Sequence, residues 1–222
     1  MKIITVAIDG PAGAGKSSVA KAVARKIGAN YLDTGSMYRA LALYLMRQGV
    51  DLHDAAAVAA SCTAAPVRVR SENGAQITCL ADEDVSQAVR SEECSAAASL
   101  VSAVPEVRDY LVALQRKIAE GESVVMDGRD IGTKVLPDAA VKIFLTARPE
   151  VRAKRRYDEL LQKGQQAEFD TVLQDIVNRD WQDTHRAASP LARAADAVEV
   201  DTSDLTLDQV VEKICGIVRD AV

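Results

Sequence analysis

Residues 10–17 read Gly-Pro-Ala-Gly-Ala-Gly-Lys-Ser, a match to the pattern G-x-x-x-x-G-K-[ST]. The run 3–8 before this loop is apolar and β-branched, as expected of a strand buried on both faces, and 17–27 carries apolar residues at helical spacing. A glycine-rich loop between a strand and a helix is the context in which this pattern binds phosphate groups. An ordinary tight turn is the alternative, but the pattern and its context together favour a phosphate-binding loop.

The loop residues have distinct expected roles. Glycines let the backbone wrap around an anion with its N–H groups pointing inward, and the helix that follows adds the positive end of its dipole. We expect Lys16 to reach the outer phosphates and Ser17 to bind Mg²⁺ directly or through water, although the hydroxyl of Ser18 could also serve the metal. The ATP-binding residues predicted in this way are Gly10, Pro11, Ala12, Gly13, Ala14, Gly15, Lys16, Ser17 and Ser18.

Composition narrows the possible classes of function. The 222 residues are 48% hydrophobic and 27% charged, which is enough apolar material for a real core. A formal net charge of -5 argues against a general nucleic-acid binder, so any basic site must be local. The apolar run at the N-terminus is interrupted early by Asp9 and is too short for a signal peptide or a membrane span. We therefore expect a cytoplasmic protein that contacts neither nucleic acid nor membrane. No long apolar stripe in the sequence calls for a partner chain, so we also expect a monomer.

The cysteines give no sign of a disulfide framework or a metal site. They are scattered, form no C-x-x-C pair and have no histidine cluster nearby, so we expect reduced and mostly buried thiols. They are Cys62, Cys79, Cys94 and Cys215.

Strands alternate with helices along most of the chain, which predicts an α/β fold with a doubly wound parallel sheet. The expected strands are 3–8, 30–32, 123–126, 141–145 and 197–200, and the expected helices are 17–27, 36–48, 106–120, 148–163, 169–185 and 207–218.

The stretch 62–100 interrupts this alternation. Residues 67–70 and 76–80 alternate like half-exposed strands, and Glu72-Asn73-Gly74 between them is a hairpin signal. Antiparallel pieces of this kind do not belong to a parallel core, so we interpret the stretch as an insertion.

Phosphate binding alone does not define a reaction. A GTPase would carry D-x-x-G and N-K-x-D elements, and the sequence contains neither. A larger motor ATPase would need a longer chain and a hydrophobic strand that ends in a clear Walker-B acid. A small kinase is therefore the class that fits best.

An acceptor that carries a phosphate needs its own cations, and arginines stand where α/β proteins place ligands. Arg39 and Arg129 follow predicted strands, while Arg179, Asp183 and Arg186 are spaced i, i+4, i+7, as on one helical face. Solvated surface arginines, a surface ion-pair ladder and, at 127–130, a simple β-turn are the alternatives.

The basic helix over 148–163 carries Arg152 and Arg156 one turn apart, so the two could face phosphates together. Charge runs of this kind are more often a solvated face. In a kinase, however, an arginine-bearing lid excludes the water that would otherwise accept the phosphoryl group.

Four stretches together resemble the bacterial cytidylate kinase family, and the resemblance runs nearly end to end. They are 8–17, 31–39 (Tyr-Leu-Asp-Thr-Gly-Ser-Met-Tyr-Arg), 127–132 (Asp-Gly-Arg-Asp-Ile-Gly) and 178–191, with Asn178-Arg-Asp, Arg186-Ala and Pro190-Leu191. The family has a P-loop NTPase fold with a five-stranded parallel sheet, a small antiparallel insertion and a short helical lid. The resemblance implies a kinase core over 1–35 and 101–222 with a lid at about 148–166. It places a nucleoside monophosphate-binding region over 36–100, which includes the insertion at about 62–100.

The resemblance also implies a reaction and a site. MgATP and CMP or dCMP would give ADP and CDP or dCDP, without a protein general base. The implied CMP-binding residues are Thr34 and Arg39 near the acceptor phosphate, Ser99, Arg108 and Asp130 at the cytosine, Arg129 and Arg186 on phosphate, and Arg179 and Asp183 on phosphate and ribose. The residues expected to assist transfer are Lys16, Arg129, Arg152, Arg156 and Arg186. Another small P-loop kinase, acting on UMP, AMP or a small alcohol, is the alternative, and a nucleotide sensor without an acceptor pocket is the next.

Overall fold

Two sheets organise the computed structural model, which describes residues 3–72 and 75–221. The strands are β1 Thr5–Asp9, β2 Asn30–Asp33, β3 Val67–Glu72, β4 Ala75–Leu80, β5 Glu83–Asp84, β6 Val124–Gly128, β7 Val141–Thr146 and β8 Val198–Asp201. Five of them form a parallel sheet in the order β2-β6-β1-β7-β8, and the other three form an antiparallel sheet in the order β3-β4-β5. The predicted parallel five-stranded sheet with an antiparallel insertion is confirmed.

Helices cover both faces of the parallel sheet. They are α1 Lys16–Ile27, α2 Thr34–Arg47, α3 Ala55–Cys62, α4 Glu92–Val101, α5 Pro105–Ala119, α6 Pro149–Gln162, α7 Phe169–His185 and α8 Leu207–Ala221. No helix within 3–72 or 75–221 combines the length and apolar character needed to cross a membrane.

Alternating residues of the central strands divide the core into two. Ala7 packs with Met37 and Leu41 of α2, whereas its neighbour Ile8 packs with Val23 of α1 and Ile214 of α8. Successive side chains of a strand point to opposite faces, so one core lies on each side of the sheet. The helix that follows β2 and the helix that follows the phosphate loop are thus anchored independently.

The strand register places the carboxyl ends of three strands side by side. Asp9 of β1 pairs with Gly128 of β6, and Asp33 of β2 pairs with Asp127 of β6. The loops that leave β1, β2 and β6 therefore start from one edge, where ligands bind in open α/β sheets.

The insertion is antiparallel in only its first half. Glu72 and Ala75 close the β3–β4 pair, while Asn73 and Gly74 of the expected turn lie outside the described residues. The expected strands 67–70 and 76–80 lie within β3 and β4, whereas the second half of 62–100 contains α4, a helix that the sequence analysis did not predict. The local cause is a helix start at Ser91, whose Oγ accepts a hydrogen bond from the N–H of Cys94.

Candidate active site

The phosphate loop has the strained geometry that its glycines permit. Gly10 has φ +149°, and a Cβ there would lie 1.9 Å from the carbonyl oxygen of Leu145. On the outer side of the loop, Arg152 Nη1 donates to the Ala12 carbonyl at 3.1 Å, and Thr202 Oγ1 lies 3.4 Å from the Ala14 carbonyl. The loop is therefore fixed by side chains from α6 and from the segment after β8.

Lys16 is buried at the start of α1, and its Nζ donates to the Pro11 carbonyl at 2.7 Å. Burial has the largest effect on the pKa of Lys16 and the charge of Arg129 the next largest; together they lower this pKa to about 7. An anion bound in the loop would favour the charged form and raise this pKa again.

Asp127 faces the loop from the end of β6. Its carboxylate accepts hydrogen bonds of 2.8 Å from Ser17 Oγ and from the Tyr31 hydroxyl, and burial raises its pKa to about 6. β6 is thus a hydrophobic strand that ends in an acid of the Walker-B kind. The sequence pattern Val-Val-Met-Asp over 124–127 carries this signal, but sequence reasoning did not assign the role to Asp127.

Asp9 is a second buried carboxylate that sequence reasoning missed. It accepts backbone hydrogen bonds of 2.7 Å from Ile131 and from Gly132, and burial raises its pKa to about 6. Asp9 therefore holds the turn after Asp130 against the end of β1.

A polar cavity of about 100 Å³ opens beside the loop, between α2, α4, α5 and α7. It is lined by every residue that the sequence predicted for the acceptor: Thr34, Arg39, Ser99, Arg108, Arg129, Asp130, Arg179, Asp183 and Arg186. Residues more than 140 positions apart in sequence meet here.

Paired charges form the inner wall of this cavity. Arg108 is 4% exposed and forms an ion pair with Asp130. Asp183 contacts Arg129 Nε at 2.7 Å and lies 3.7 Å from Arg186 Nη1. Burial alone would raise the pKa of Asp183, but Arg129 and the neighbouring arginines hold it below its usual range.

Several donors in the cavity wall lack a protein partner. Among the described residues, Nε of Arg39, Nε of Arg108 and Nη2 of Arg186 are buried without a hydrogen bond. Buried donors of this kind are costly unless a ligand satisfies them, and anionic oxygens are the acceptors that guanidinium groups bind best.

A larger cleft of about 540 Å³ lies over the phosphate loop and shares a wall with the cavity. Gly35 and Gly128, together with Arg39, Arg129 and Arg179, line both spaces. Three arginines thus stand where the contents of the two spaces would meet.

The predicted lid arginines are placed differently from each other. Arg156 lines the large cleft and forms ion pairs with Glu92 of α4 and with Glu159. Arg152 is buried, with its guanidinium on Ala12 and Asp180, and is not among the described side chains that line either space. The two arginines do not face one space together.

Only two of the three residues expected on one face of α7 lie on that helix. Arg179 and Asp183 lie one turn apart on α7, but the helix ends at His185 and Arg186 is extended at φ −64° and ψ 142°. The expectation that Arg186 continues the same helical face is wrong. Its side chain reaches the cavity because Nε is held by the Ser189 carbonyl at 2.7 Å.

The family model described as "Cytidylate kinase" matches residues 6–220, which is nearly the whole chain. The chain belongs to the cytidylate kinase family. This membership confirms the resemblance carried by the loop, by 31–39, by 127–132 and by 178–191.

Curated members of the cytidylate kinase family match over almost their full length. The cytidylate kinase of Nocardia farcinica is 47% identical over 220 residues, covering 99% of this chain and 95% of the relative. That of Mycobacterium leprae is 50% identical over 220 residues, covering 99% and 97%.

Solved structures with lower identity share the fold of this cytidylate kinase family member. An uncharacterized protein from Eubacterium ventriosum superposes with a TM-score of 0.55 at 15% identity, covering 99% of each chain. A gluconokinase from Sinorhizobium meliloti superposes with a TM-score of 0.51 at 17% identity, covering 98% of this chain and 93% of that one. At this identity the likeness concerns the fold alone.

The expectation that the cysteine side chains are buried is confirmed. All four cysteines are free and buried, and no group of three or more His, Cys, Asp or Glu side chains within 3–72 and 75–221 is arranged to hold a metal ion.

Proposed function

We propose that the protein transfers the terminal phosphoryl group of MgATP to CMP or dCMP, giving ADP and CDP or dCDP. The observation that carries this proposal is the shared wall of Arg39, Arg129 and Arg179 between the phosphate-loop cleft and the acceptor cavity. ATP in the cleft and a monophosphate in the cavity would direct their phosphates toward the same three cations. In-line transfer needs this arrangement of positioned donor, positioned acceptor and neutralised charge.

The inner end of the cavity suits a cytosine base. The Asp130 carboxylate can accept a hydrogen bond from the exocyclic amino group, and Arg108 can donate to the ring nitrogen or the carbonyl oxygen. Uracil presents a carbonyl oxygen in place of the amino group, so Asp130 would face an acceptor instead of a donor. A buried carboxylate oxygen that faces an acceptor instead of a donor loses a hydrogen bond, which is a strong source of selectivity.

Electrostatic stabilisation supplies most of the catalysis in this proposal. The acceptor oxygen is already anionic, so no protein group has to remove a proton. Lys16, Arg129 and Arg186 neutralise the charge that spreads over the transferring group. Arg156 of α6 reaches the same cleft and contributes from the lid side.

The residues beside the loop fit a magnesium ion. Ser17 Oγ lies 2.8 Å from Asp127 Oδ2, and hydroxyl and carboxylate oxygens are ligands that Mg²⁺ prefers. Ser17 would therefore hold the ion in preference to Ser18, with Asp127 directly or through water. The ion would neutralise charge on the outer phosphates of ATP when bound.

The deciding experiment measures ADP release from MgATP with CMP, dCMP, UMP, AMP, GMP and shikimate offered separately. We expect rapid turnover with CMP and dCMP and slow turnover with the others. Preference for another acceptor would keep the kinase reaction but overturn the roles of Arg108 and Asp130. ADP release that no acceptor changes would favour the nucleotide sensor.

A further inference from the structure

Arg152 is a buried cation whose donors are bound on several sides. Nε donates to the Ala147 carbonyl at 2.8 Å, Nη1 donates to the Ala12 carbonyl at 3.1 Å, and the same Nη1 lies 2.7 Å from Asp180 Oδ2. Only 4% of Arg152 is exposed. A cation buried to this extent needs a counterion, and Asp180 is the carboxylate that provides it among the described residues.

The contact with Ala12 sets the orientation of a peptide group in the phosphate loop. In a trans peptide the carbonyl of one residue and the N–H of the next point in opposite directions. With the Ala12 carbonyl held by Arg152, the N–H of Gly13 points away from α6, and Gly13 itself lines the large cleft. A Cβ placed on Gly13 would lie only 3.0 Å from the Cβ of Arg152, so α6 packs directly against the loop at this point.

Asp180 connects this arrangement to the acceptor side. It lies on α7 between Arg179, which lines both spaces, and Asp183, which lines the acceptor cavity. Its second oxygen, Oδ1, is buried and has no hydrogen-bond partner within the described chain. The carboxylate is therefore committed to Arg152, and a movement of α7 would be transmitted to the Ala12–Gly13 peptide.

We propose that Asp180 is a positioning residue that acts through Arg152 to hold the phosphate loop in its nucleotide-binding form, and so couples the acceptor-binding helix to the donor site. This inference rests on the proposed kinase activity. The sequence motif Asn178-Arg179-Asp180 thus has a role for its third residue as well as for its second.

The test is equilibrium binding of MgADP and of CMP, titrated separately by calorimetry, to the whole protein and to Asp180→Asn. The asparagine keeps the shape but loses the charge that holds Arg152. Hydrogen bonds to charged groups are strong enough that we expect MgADP to bind about tenfold more weakly, with CMP affinity changed less than about twofold. Equal weakening of both ligands, or of neither, would overturn the proposal.

Three further variants separate positioning from general damage. Asp204→Asn removes the exposed ion pair between Asp204 and Arg148, which lies at the start of α6, the helix that carries Arg152. This variant should leave MgADP affinity unchanged. Asp180→Glu keeps the charge and should bind MgADP more tightly than Asp180→Asn; equal affinities would count against the proposal. In an Arg152→Gln background, Asp180→Asn should weaken MgADP binding little further, because the arginine that Asp180 contacts is already absent.

The proposed function and the role of Asp180 are tested by different measurements. Turnover of CMP by the unmodified protein tests the kinase reaction, whereas the MgADP titrations test Asp180 whichever acceptor is used. A protein that binds MgADP but does not phosphorylate CMP would refute the function alone.

Discussion

Lys16 and Asp127 lie beside the phosphate loop with pKa values close to neutrality. Burial and Arg129 lower the pKa of Lys16 to about 7, and burial raises that of Asp127 to about 6. A bound phosphate favours the protonated form of both groups, so both pKa values rise on binding. Affinity for a fully ionised phosphate therefore falls as the pH increases through the pKa values of the free protein.

This linkage predicts the pH dependence of ADP binding in EDTA, where no metal contributes. Between pH 6 and 8.5 we expect the affinity to fall by about tenfold or more, since one proton taken up on binding gives a factor of ten for each pH unit. Calorimetric titration across this range measures it. Lys16→Met should bind weakly and show a shallower decrease, whereas an affinity that is constant or rises with pH would contradict the pKa assignments.

The residues that line the candidate site could be predicted from sequence where a motif marks them, and not where only the fold brings them together. Most of the cavity residues belong to the quoted family stretches, whereas Ser99 and Arg108 lie on α4 and α5 outside those stretches. The sequence analysis identified Asp9 only as the residue that interrupts the N-terminal apolar run. Its structural role was not predictable, because its partners Ile131 and Gly132 lie over 120 positions away in sequence. Likewise, nothing local to Arg152 indicates that its guanidinium turns toward Ala12 and Asp180 instead of a phosphate.

Whole elements were predictable when periodicity was long and clear. The bounds of α7 agree with the expected 169–185, and apolar residues at helical spacing mark its first half, at Phe169, Val172, Leu173 and Ile176. By contrast, α3 and α4 are short and rich in alanine, so they have little amphipathic pattern, and only their caps Asp54 and Ser91 mark them. Tertiary packing of α4 against α2 supplies the remaining stability.

The ion pair between Arg156 of α6 and Glu92 of α4 joins two elements across the large cleft. The Glu92 side chain is 65% exposed, so the pair contributes little and can be exchanged for a phosphate. Glu92→Gln frees Arg156 from this competitor. We expect the variant to bind MgADP up to about threefold more tightly, as measured by calorimetry.

Glu93→Gln is the matched control for this effect, because Glu93 stands beside Glu92 in the exposed first turn of α4. Both substitutions remove one negative charge near the helix N-terminus, but no ion pair to α6 is present at Glu93 within the described chain. Equal tightening in both variants would indicate a general effect of charge, and weaker binding in Glu92→Gln would contradict the competition.

At the scale of the whole molecule, the parallel sheet separates α2, α4 and α5, which line the acceptor cavity, from the helix pair α1 and α8. Met37 and Leu41 of α2 belong to the core on one face, whereas Ile214 of α8 belongs to the core on the other. The sequence predicted the alternation of strands and helices from which such a sheet follows. The strand order and the assignment of each helix to a face depend on long-range packing, which local patterns do not encode.

This division predicts that stability and acceptor binding can be separated by two core substitutions of similar size. Ile214→Ala and Leu41→Ala each create a cavity at a fully buried position and should cost about 2–5 kcal/mol, lowering Tm by several degrees. Leu41 lies on α2 together with Arg39, so its truncation should also raise KM for CMP, while Ile214→Ala should leave that KM within about twofold because Ile214 packs on the opposite face of the sheet. Thermal denaturation and steady-state kinetics at a temperature well below both transitions measure the two effects. A KM for CMP that rises as much in Ile214→Ala as in Leu41→Ala would show that the two cores position the acceptor site jointly.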